Sequence, residues 1–163
     1  MEFRKDIAYG EQFEDFVYKF LTTHADFAEW SVQRAQDILG EGEYREDDRK
    51  YPDFLVRKDD IAVFIDAKRK KGYGKETYIT VDMTFVESYM YHKEKMELSG
   101  QRSKALIYFY CEKTREAYRV DLETTPFELK YFDNKYNKDG EATRVYYVRD
   151  LEEIQELSKF NSP

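Results

Sequence analysis

The hydrophobic pattern of the first half of the chain predicts a helix followed by two strands. Apolar residues recur at helical spacing over residues 9–21, which indicates an amphipathic helix. Two short apolar runs, 54–56 and 61–65, are separated by the polar residues 57–60. Their β-branched and aromatic content favours two strands joined by a hairpin turn.

The pattern then predicts a strand, a second helix and two further strands. Residues 77–81 alternate as in a short strand, and Asp82 is suited to cap a helix over 83–98. The nearly continuous apolar run at 104–111 is typical of a central strand that is covered on both faces. Residues 117–122 alternate and are expected to pair beside it.

Two regions are harder to interpret. Residues 25–32 fit either a strand or the end of a helical turn, and 33–39 have helical character. The charged segment 43–50 is expected to be a loop. Its residues Asp47 and Asp48 are acidic enough to bind cations, although such loop residues are most often only solvated.

The C-terminal part predicts an addition to this core. After the aromatic-rich residues 127–136, a turn is expected at 137–140 and a strand at 143–148. Asp150 is suited to cap a final helix. Its apolar face would be formed by Leu151, Ile154, Leu157 and Phe160.

Together these segments predict one α+β domain over residues 1–163, an α/β sandwich with helices flanking a central mixed sheet. The core, about 9–123, has the order αβββαβ, in which the first three strands form a meander. A strand and a helix would extend it over about 124–163.

Composition indicates a folded, globular protein. Of 163 residues, 41% are apolar, 37% are charged and 17% are aromatic. No apolar run approaches the roughly 20 residues that span a bilayer, and the first residues lack the apolar region of a signal peptide. The single Cys111 argues against a disulfide framework and a cysteine-based zinc site. We therefore expect a cytoplasmic protein without membrane contact.

The charged residues at the ends of the predicted hairpin form a candidate site. Asp53 precedes the first strand, and Asp66 and Lys68 follow the second, two residues apart and so on one face. Antiparallel pairing brings Asp53 beside Asp66. Two such carboxylates suit Mg²⁺, which takes few carboxylate ligands and keeps several waters. The ammonium group of Lys68 would position or deprotonate a water, or offset charge on a phosphate.

The distribution of charge favours a nucleic-acid substrate despite an acidic total. The net charge is −7, which opposes simple phosphate binding. However, Arg69, Lys70, Lys71 and Lys75 follow Lys68 directly and predict a phosphate-contacting loop beside the carboxylates.

The residues Pro52-Asp53 and Asp66-Ala67-Lys68 resemble the motif of the PD-(D/E)xK phosphodiesterase superfamily. This superfamily includes restriction endonucleases, archaeal Holliday junction resolvases, and phage and repair nucleases. The resemblance implies a restriction-endonuclease-like core and Mg²⁺-dependent cleavage of DNA, with Mn²⁺ as a substitute. It also implies that Asp53, Asp66 and the Ala67 carbonyl hold the metal while Lys68 acts on the attacking water.

The same resemblance assigns further residues. A glutamate of the first helix is expected to join the site, and Glu14 fits this role better than Glu11. Many relatives carry a glutamine or a Tyr/Lys pair on the second helix to contact the substrate. This helix has no glutamine, so Tyr91 and Lys95, four residues apart, are the nearest substitutes.

Three functions are consistent with the sequence. The first is a DNA nuclease of structural or weak sequence specificity, with RNA as an open alternative substrate. If it cuts both strands it requires a homodimer, and no sequence feature identifies the interface. The second is a catalytically idle nuclease-like fold that binds nucleic acid or protein. The third is an unrelated α+β domain in which the motif occurs by chance.

Overall fold

The computed structural model describes residues 2–39, 51–131 and 142–161. Asp47 and Asp48, and the turn predicted at 137–140, lie outside these ranges. Among the described helices, none is both long enough and apolar enough to cross a membrane.

The elements within these ranges follow the predicted order with additions. The helices are α1 (Glu2–Thr23), α2 (Ala35–Leu39), α3 (Met83–Leu98) and α4 (Gln155–Ser158). The strands are β1 (Ser31–Arg34), β2 (Phe54–Lys58), β3 (Ile61–Lys70), β4 (Tyr78–Asp82), β5 (Arg102–Cys111), β6 (Glu116–Asp121), β7 (Glu128–Tyr131), β8 (Ala142–Tyr147) and β9 (Glu152–Glu153). Short 3-10 turns lie at Ala25–Phe27 and Val148–Asp150.

The larger sheet is mixed and has the strand order β1-β2-β3-β5-β6-β9. Its central pair, β3 and β5, is parallel, and its other pairs are antiparallel. Because β5 has apolar side chains on both faces, it is buried along most of its length. The central, doubly covered strand predicted at residues 104–111 is therefore confirmed.

Helices cover both faces of this sheet. One face packs against α1 and α4, and its buried residues include Phe13, Val17, Leu21, Phe54, Ile65, Leu106, Tyr110, Leu157 and Phe160. The other face packs against α3 and a small second sheet of order β4-β8-β7. Its buried residues include Ile79, Val81, Val86, Tyr89, Ile107, Phe109, Val120 and Tyr146. The predicted sandwich of helices around a mixed sheet is present.

The predicted three-strand meander needs correction. The meander of the large sheet consists of β1, β2 and β3, because the ambiguous segment at residues 25–32 contains a 3-10 turn and then the start of β1. The strand expected at 77–81 is β4, which pairs with β8 instead of β3. A tight turn closed by mutual backbone hydrogen bonds between Tyr73 and Tyr78 directs the chain out of the large sheet.

The C-terminal prediction and one cap are also corrected. Asp150 belongs to a 3-10 turn, and β9 intervenes before α4, which forms a single turn. Leu157 and Phe160 are nevertheless buried as the periodicity predicted. Asp82 occupies the N-cap position of α3, but its side chain makes no capping hydrogen bond.

Gly72 begins the turn between β3 and β4, and the fold requires glycine there. Its φ is +83°, and a Cβ atom would lie 2.7 Å from the Sγ of buried Cys111. We expect Gly72→Ala to lower the free energy of unfolding by about 2 kcal/mol, a fall in Tm of roughly 4–8 °C. Thermal unfolding followed by circular dichroism measures this change.

Gly10→Ala is the matched control. Gly10 lies inside α1, where an added Cβ meets no atom within 4 Å. Alanine has the higher helix propensity, so this variant should be as stable as the parent or more stable by up to about 1 kcal/mol. Equal melting temperatures for the two variants would show that the left-handed turn at Gly72 is not needed.

Candidate active site

The hairpin of β2 and β3 sets Asp53 and Asp66 side by side. Phe54 pairs with Ile65 in the antiparallel register, so the next residues outward lie opposite each other at the open end. The Asp53 N–H donates to Asp66 Oδ1 at 3.3 Å, and the Ala67 N–H donates to Asp53 Oδ2 at 2.8 Å. The two carboxylates are therefore adjacent, as the strand geometry predicted.

Lys68 joins this pair from the same strand. It lies two residues beyond Asp66, so both side chains project from one face of β3. Its Nζ is 2.8 Å from Asp66 Oδ2, and both side chains are largely buried. The same ammonium group lies 4.4 Å from the centre of the Phe85 ring and 5.9 Å from that of Tyr89, both on α3. Ion pairing and cation–π attraction together hold the ammonium group beside Asp66.

Tyr89 adds a buried hydroxyl group to the site. Its side chain is 1% exposed, and the hydroxyl lies beside the Asp66 carboxylate. Burial raises the pKa of the phenol, and the nearby Asp66 carboxylate raises it further. The hydroxyl therefore stays protonated and keeps an O–H donor near Asp66.

Glu14 approaches the two aspartates from α1. Its carboxylate is close enough to Asp53 to raise the pKa of that residue. Glu14 Oε1 also lies 3.5 Å from a guanidinium nitrogen of Arg34, which contacts Asp15 at 3.1 Å. Glu11 is exposed on the same helix. Of the two glutamates, Glu14 is therefore the one that acts electrostatically on the site.

The surroundings of Asp53 oppose the ionised form of its carboxyl group. Burial raises the pKa of its carboxyl to about 9, with further contributions from the Asp66 and Glu14 carboxylates. The hydrogen bond from the Ala67 N–H favours the charged form, but it does not outweigh these effects. A nearby cation would relieve this excess of buried negative charge.

The residues of the site fit a divalent cation of the Mg²⁺ type. Asp53 and Asp66 provide hard carboxylate oxygens, and Mg²⁺ needs only one or two such ligands because it keeps several waters. Within the described ranges, no three His, Cys, Asp or Glu side chains are placed to hold a metal ion together. Carboxylate oxygens are hard ligands, which suit Mg²⁺ better than the cysteine and histidine ligands of structural Zn²⁺ sites do.

Comparison with solved structures identifies the fold that carries this group of residues. No protein-family model matches the sequence, and no curated protein matches it. In three dimensions the chain is similar to Archaeoglobus fulgidus Hjc, a Holliday junction resolvase from an archaeal hyperthermophile. The TM-score is 0.54 over 92% of this chain and 95% of that chain, at 12% sequence identity. The chain has a restriction-endonuclease-like fold.

A second similar structure is D212, a nuclease from a fusselovirus, with a TM-score of 0.44 and 14% identity over 95% of this chain and 88% of that chain. The restriction-endonuclease-like fold confirms the predicted fold class. It also confirms, at the level of fold, the resemblance seen in the motif. The fold is therefore the one that the motif predicted.

Arg69 does not belong to the exposed basic loop. Its side chain is 5% exposed and forms an ion pair with Glu112. Its guanidinium carbon lies 4.8 Å from the centre of the Phe160 ring, on the face that α1 and α4 cover. This burial disfavours contact between Arg69 and nucleic acid, and that contact stays a prediction.

The other basic residues remain candidates for that contact. Lys70 is the last residue of β3, and strand alternation places it on the face that carries Asp66 and Lys68. Lys71 and Lys75 are exposed in the turn that follows. These three lysines lie next to the carboxylates along the chain. Their contact with nucleic acid stays a prediction.

The helix residues at the site differ from those predicted. Lys95 Nζ lies 5.5 Å from the ring centre of Tyr91, so these two share a face of α3 as expected. That face is turned about 200° from Tyr89, because each helical residue advances by about 100°. Phe85 and Tyr89, not Tyr91 and Lys95, are the α3 residues that contact Lys68, so contact of Tyr91 and Lys95 with nucleic acid stays a prediction.

Sequence reasoning missed three residues near the site. Phe85 and Tyr89 are four apart on α3, and this spacing predicts only that they share a buried apolar face. Their hydrophobic character gives no sign of the contact with Lys68. Arg34 lies in the weakly patterned segment before the hairpin, and only the pairing of β1 with β2 brings it towards Glu14.

The charge environment of Asp53 predicts an effect of Asp53→Asn on stability. Between an ordinary carboxyl pKa and about 9, the folded protein binds a proton that the unfolded chain releases, so its stability falls as the pH rises. Asparagine removes this dependence. In EDTA, we expect Asp53→Asn to melt at least about 2–4 °C above the parent at pH 8, a gain of about 1 kcal/mol or more. The difference should shrink at pH 5.

Asp60→Asn is the matched control, since Asp60 is exposed at the turn of the same hairpin and pairs with Arg102. Thermal melts with added Mg²⁺ complete the test. The parent should gain more stability from Mg²⁺ than Asp53→Asn does. A variant less stable than the parent at pH 8 would contradict this account of the charges.

Proposed function

We propose that this protein is a metal-dependent nuclease that hydrolyses phosphodiester bonds in DNA. The observation that carries the proposal is the contact of Asp53, Asp66 and Lys68 within a restriction-endonuclease-like fold. The similar solved structures are nucleases, and one is a Holliday junction resolvase, which favours DNA as the substrate.

Asp53 and Asp66 are the residues that would hold Mg²⁺, with Mn²⁺ as a substitute. When bound, the cation supplies positive charge that stabilises the phosphate in the transition state. The raised pKa of Asp53 supports this assignment, because the two carboxylates repel each other unless a proton or a cation is present. The Ala67 carbonyl would complete the proposed set, and Glu14, which Arg34 restrains, would act on it through its charge.

Lys68 would act on the attacking water. Its ammonium group carries three N–H donors, and the contact with Asp66 Oδ2 occupies only part of this capacity. The rings of Phe85 and Tyr89 limit its movement, so a water bound to Nζ would have a fixed position relative to the carboxylates. The Tyr89 hydroxyl is a further donor for that water or for Asp66.

The substrate would meet a locally basic surface on an acidic protein. The net charge of −7 disfavours binding along the whole molecule. Lys70, Lys71 and Lys75 supply positive charge where β3 leaves the site. Such a limited basic surface suits cleavage of structural or weak sequence specificity, since few side chains are available to read bases.

Replacing Asp66 or Lys68 with alanine tests the catalytic assignment. We expect each variant to lose at least about 100-fold in cleavage rate, because one removes a metal ligand and the other removes the group that positions water. Linear duplex, single-stranded and four-way-junction DNA, together with an RNA of the same sequence, are incubated with Mg²⁺, Mn²⁺ or EDTA. Product formation on denaturing gels gives the rates.

Asp60→Ala and Lys58→Ala are matched controls at the other end of the same hairpin. Asp60 pairs with Arg102 and Lys58 with Glu29, and all four side chains are at least partly exposed. These variants should keep the parent's cleavage rate. Full activity in both Asp66→Ala and Lys68→Ala would refute the proposed site. A folded parent protein that cuts none of the substrates would favour the idle binding module.

A further inference from the structure

The edge strand β7 exposes a row of apolar side chains that the proposed active site does not use. β7 is the outermost strand of the small sheet, and no described strand pairs with its outer edge. Phe127 is 40% exposed, Leu129 53% and Tyr131 71%. An exposed edge strand with apolar side chains is a ready surface for adding another strand.

The side chains of β7 are divided between the two faces of the sheet. Phe127, Leu129 and Tyr131 project from one face, and Glu128 and Lys130 project from the other. Phe127 is supported by its own subunit, since the Arg144 guanidinium lies 3.9 Å from its ring centre. Leu129 and Tyr131 extend the apolar row outward along the edge.

We propose that β7 pairs with β7 of a second copy of this chain, antiparallel and centred on Leu129. This register places Leu129 opposite its own counterpart and Phe127 opposite Tyr131 of the other copy. On the other face it places Glu128 opposite Lys130 twice, once on each side of the two-fold axis. The strand is thus complementary to itself in both charge and apolar character.

The charges of Glu128 and Lys130 favour a strand pair centred on Leu129 over pairs centred one residue to either side. Residues directly opposite in an antiparallel pair share a face, so a symmetric pair of this strand can be centred only on a residue. A centre at Glu128 sets two glutamates against each other, and a centre at Lys130 sets two lysines against each other. Like charges in direct opposition destabilise a strand pair, so of these three centres the one at Leu129 avoids them.

The pairing would join two three-stranded sheets into one six-stranded sheet across the subunits. The exposed apolar row would then be covered from the partner's side. This interface does not depend on the proposed nuclease activity, because no residue of β7 belongs to the candidate active site.

Charge reversal tests the pairing. Glu128→Lys sets Lys against Lys in both cross-strand pairs, and Lys130→Glu sets Glu against Glu. We expect each variant to weaken the dimer by about tenfold or more in dissociation constant, measured by sedimentation equilibrium. The double variant E128K/K130E restores opposite charges and should dimerise like the parent. An equimolar mixture of the two single variants should form a heterodimer in which every cross-strand pair is opposite in charge.

A cysteine substitution tests the register. In a strand pair centred on residue 129, the two Cα atoms of that residue lie about 4.5–5.5 Å apart, within the range of a disulfide. We therefore expect Leu129→Cys to form a covalent dimer on mild oxidation. Leu98→Cys is the matched control, because Leu98 is 89% exposed on α3, away from this edge. The native Cys111 is buried and should not react.

Three outcomes of these measurements would overturn the proposed dimer or its register. Glu128 pairs with Lys130 in its own strand and accepts from the Tyr147 O–H, so a thermal melt of each variant is needed to separate a loss of pairing from a loss of folding. A parent that stays monomeric at high micromolar concentration overturns the proposal, as do single variants that dimerise like the parent. Cross-linking of Leu129→Cys no faster than that of Leu98→Cys overturns the register.

Discussion

The carboxylates of Asp53 and Asp66 lie side by side at the open end of the β2–β3 hairpin, where the Asp53 N–H donates to Asp66 Oδ1. Their mutual repulsion and their removal from water both oppose ionisation, as the raised pKa of Asp53 shows. Lys68 and the Ala67 N–H offset part of this cost, and the remainder keeps a proton on Asp53 that a bound cation would displace. Carboxyl groups with strongly raised pKa values are common at functional sites.

The surrounding fold keeps these charges together. β3 continues from the apolar core into Asp66 and Lys68, and its parallel pairing with β5 runs the full length of the strand. α3 places aromatic rings over the ammonium group of Lys68 on one face, and α1 brings Glu14 from the other side. The arrangement therefore depends on three separate parts of the chain meeting at one end of the sheet.

The basic residues next to the site lie on different faces of β3. Arg69 and Lys70 are neighbours, but strand alternation sends Arg69 into the packing between β3, α1 and α4. Lys70 shares the face of the carboxylates.

The small second sheet lies apart from this site. Its strands β4 and β8 cover the α3 face of the core, while β7 extends beyond it. The candidate active site and the exposed edge are thus separate surfaces of one fold.

The sequence alone determined those features that follow from local periodicity. It identified α3, the central β5 and the hairpin, and the spacing of Asp53 and Asp66 was sufficient to predict their contact, because a two-residue repeat and an antiparallel pair fix which side chains are opposite. The motif, in addition, indicated the fold class.

Only the tertiary structure decided features that depend on contacts between distant segments. Whether β4 joined the meander or a second sheet depended on its pairing with β8, about 65 residues later in the chain. The choice of Phe85 and Tyr89 over Tyr91 and Lys95 depended on the rotation of α3 about its axis against the sheet. Helical periodicity defines which residues share a face, but packing determines what that face contacts.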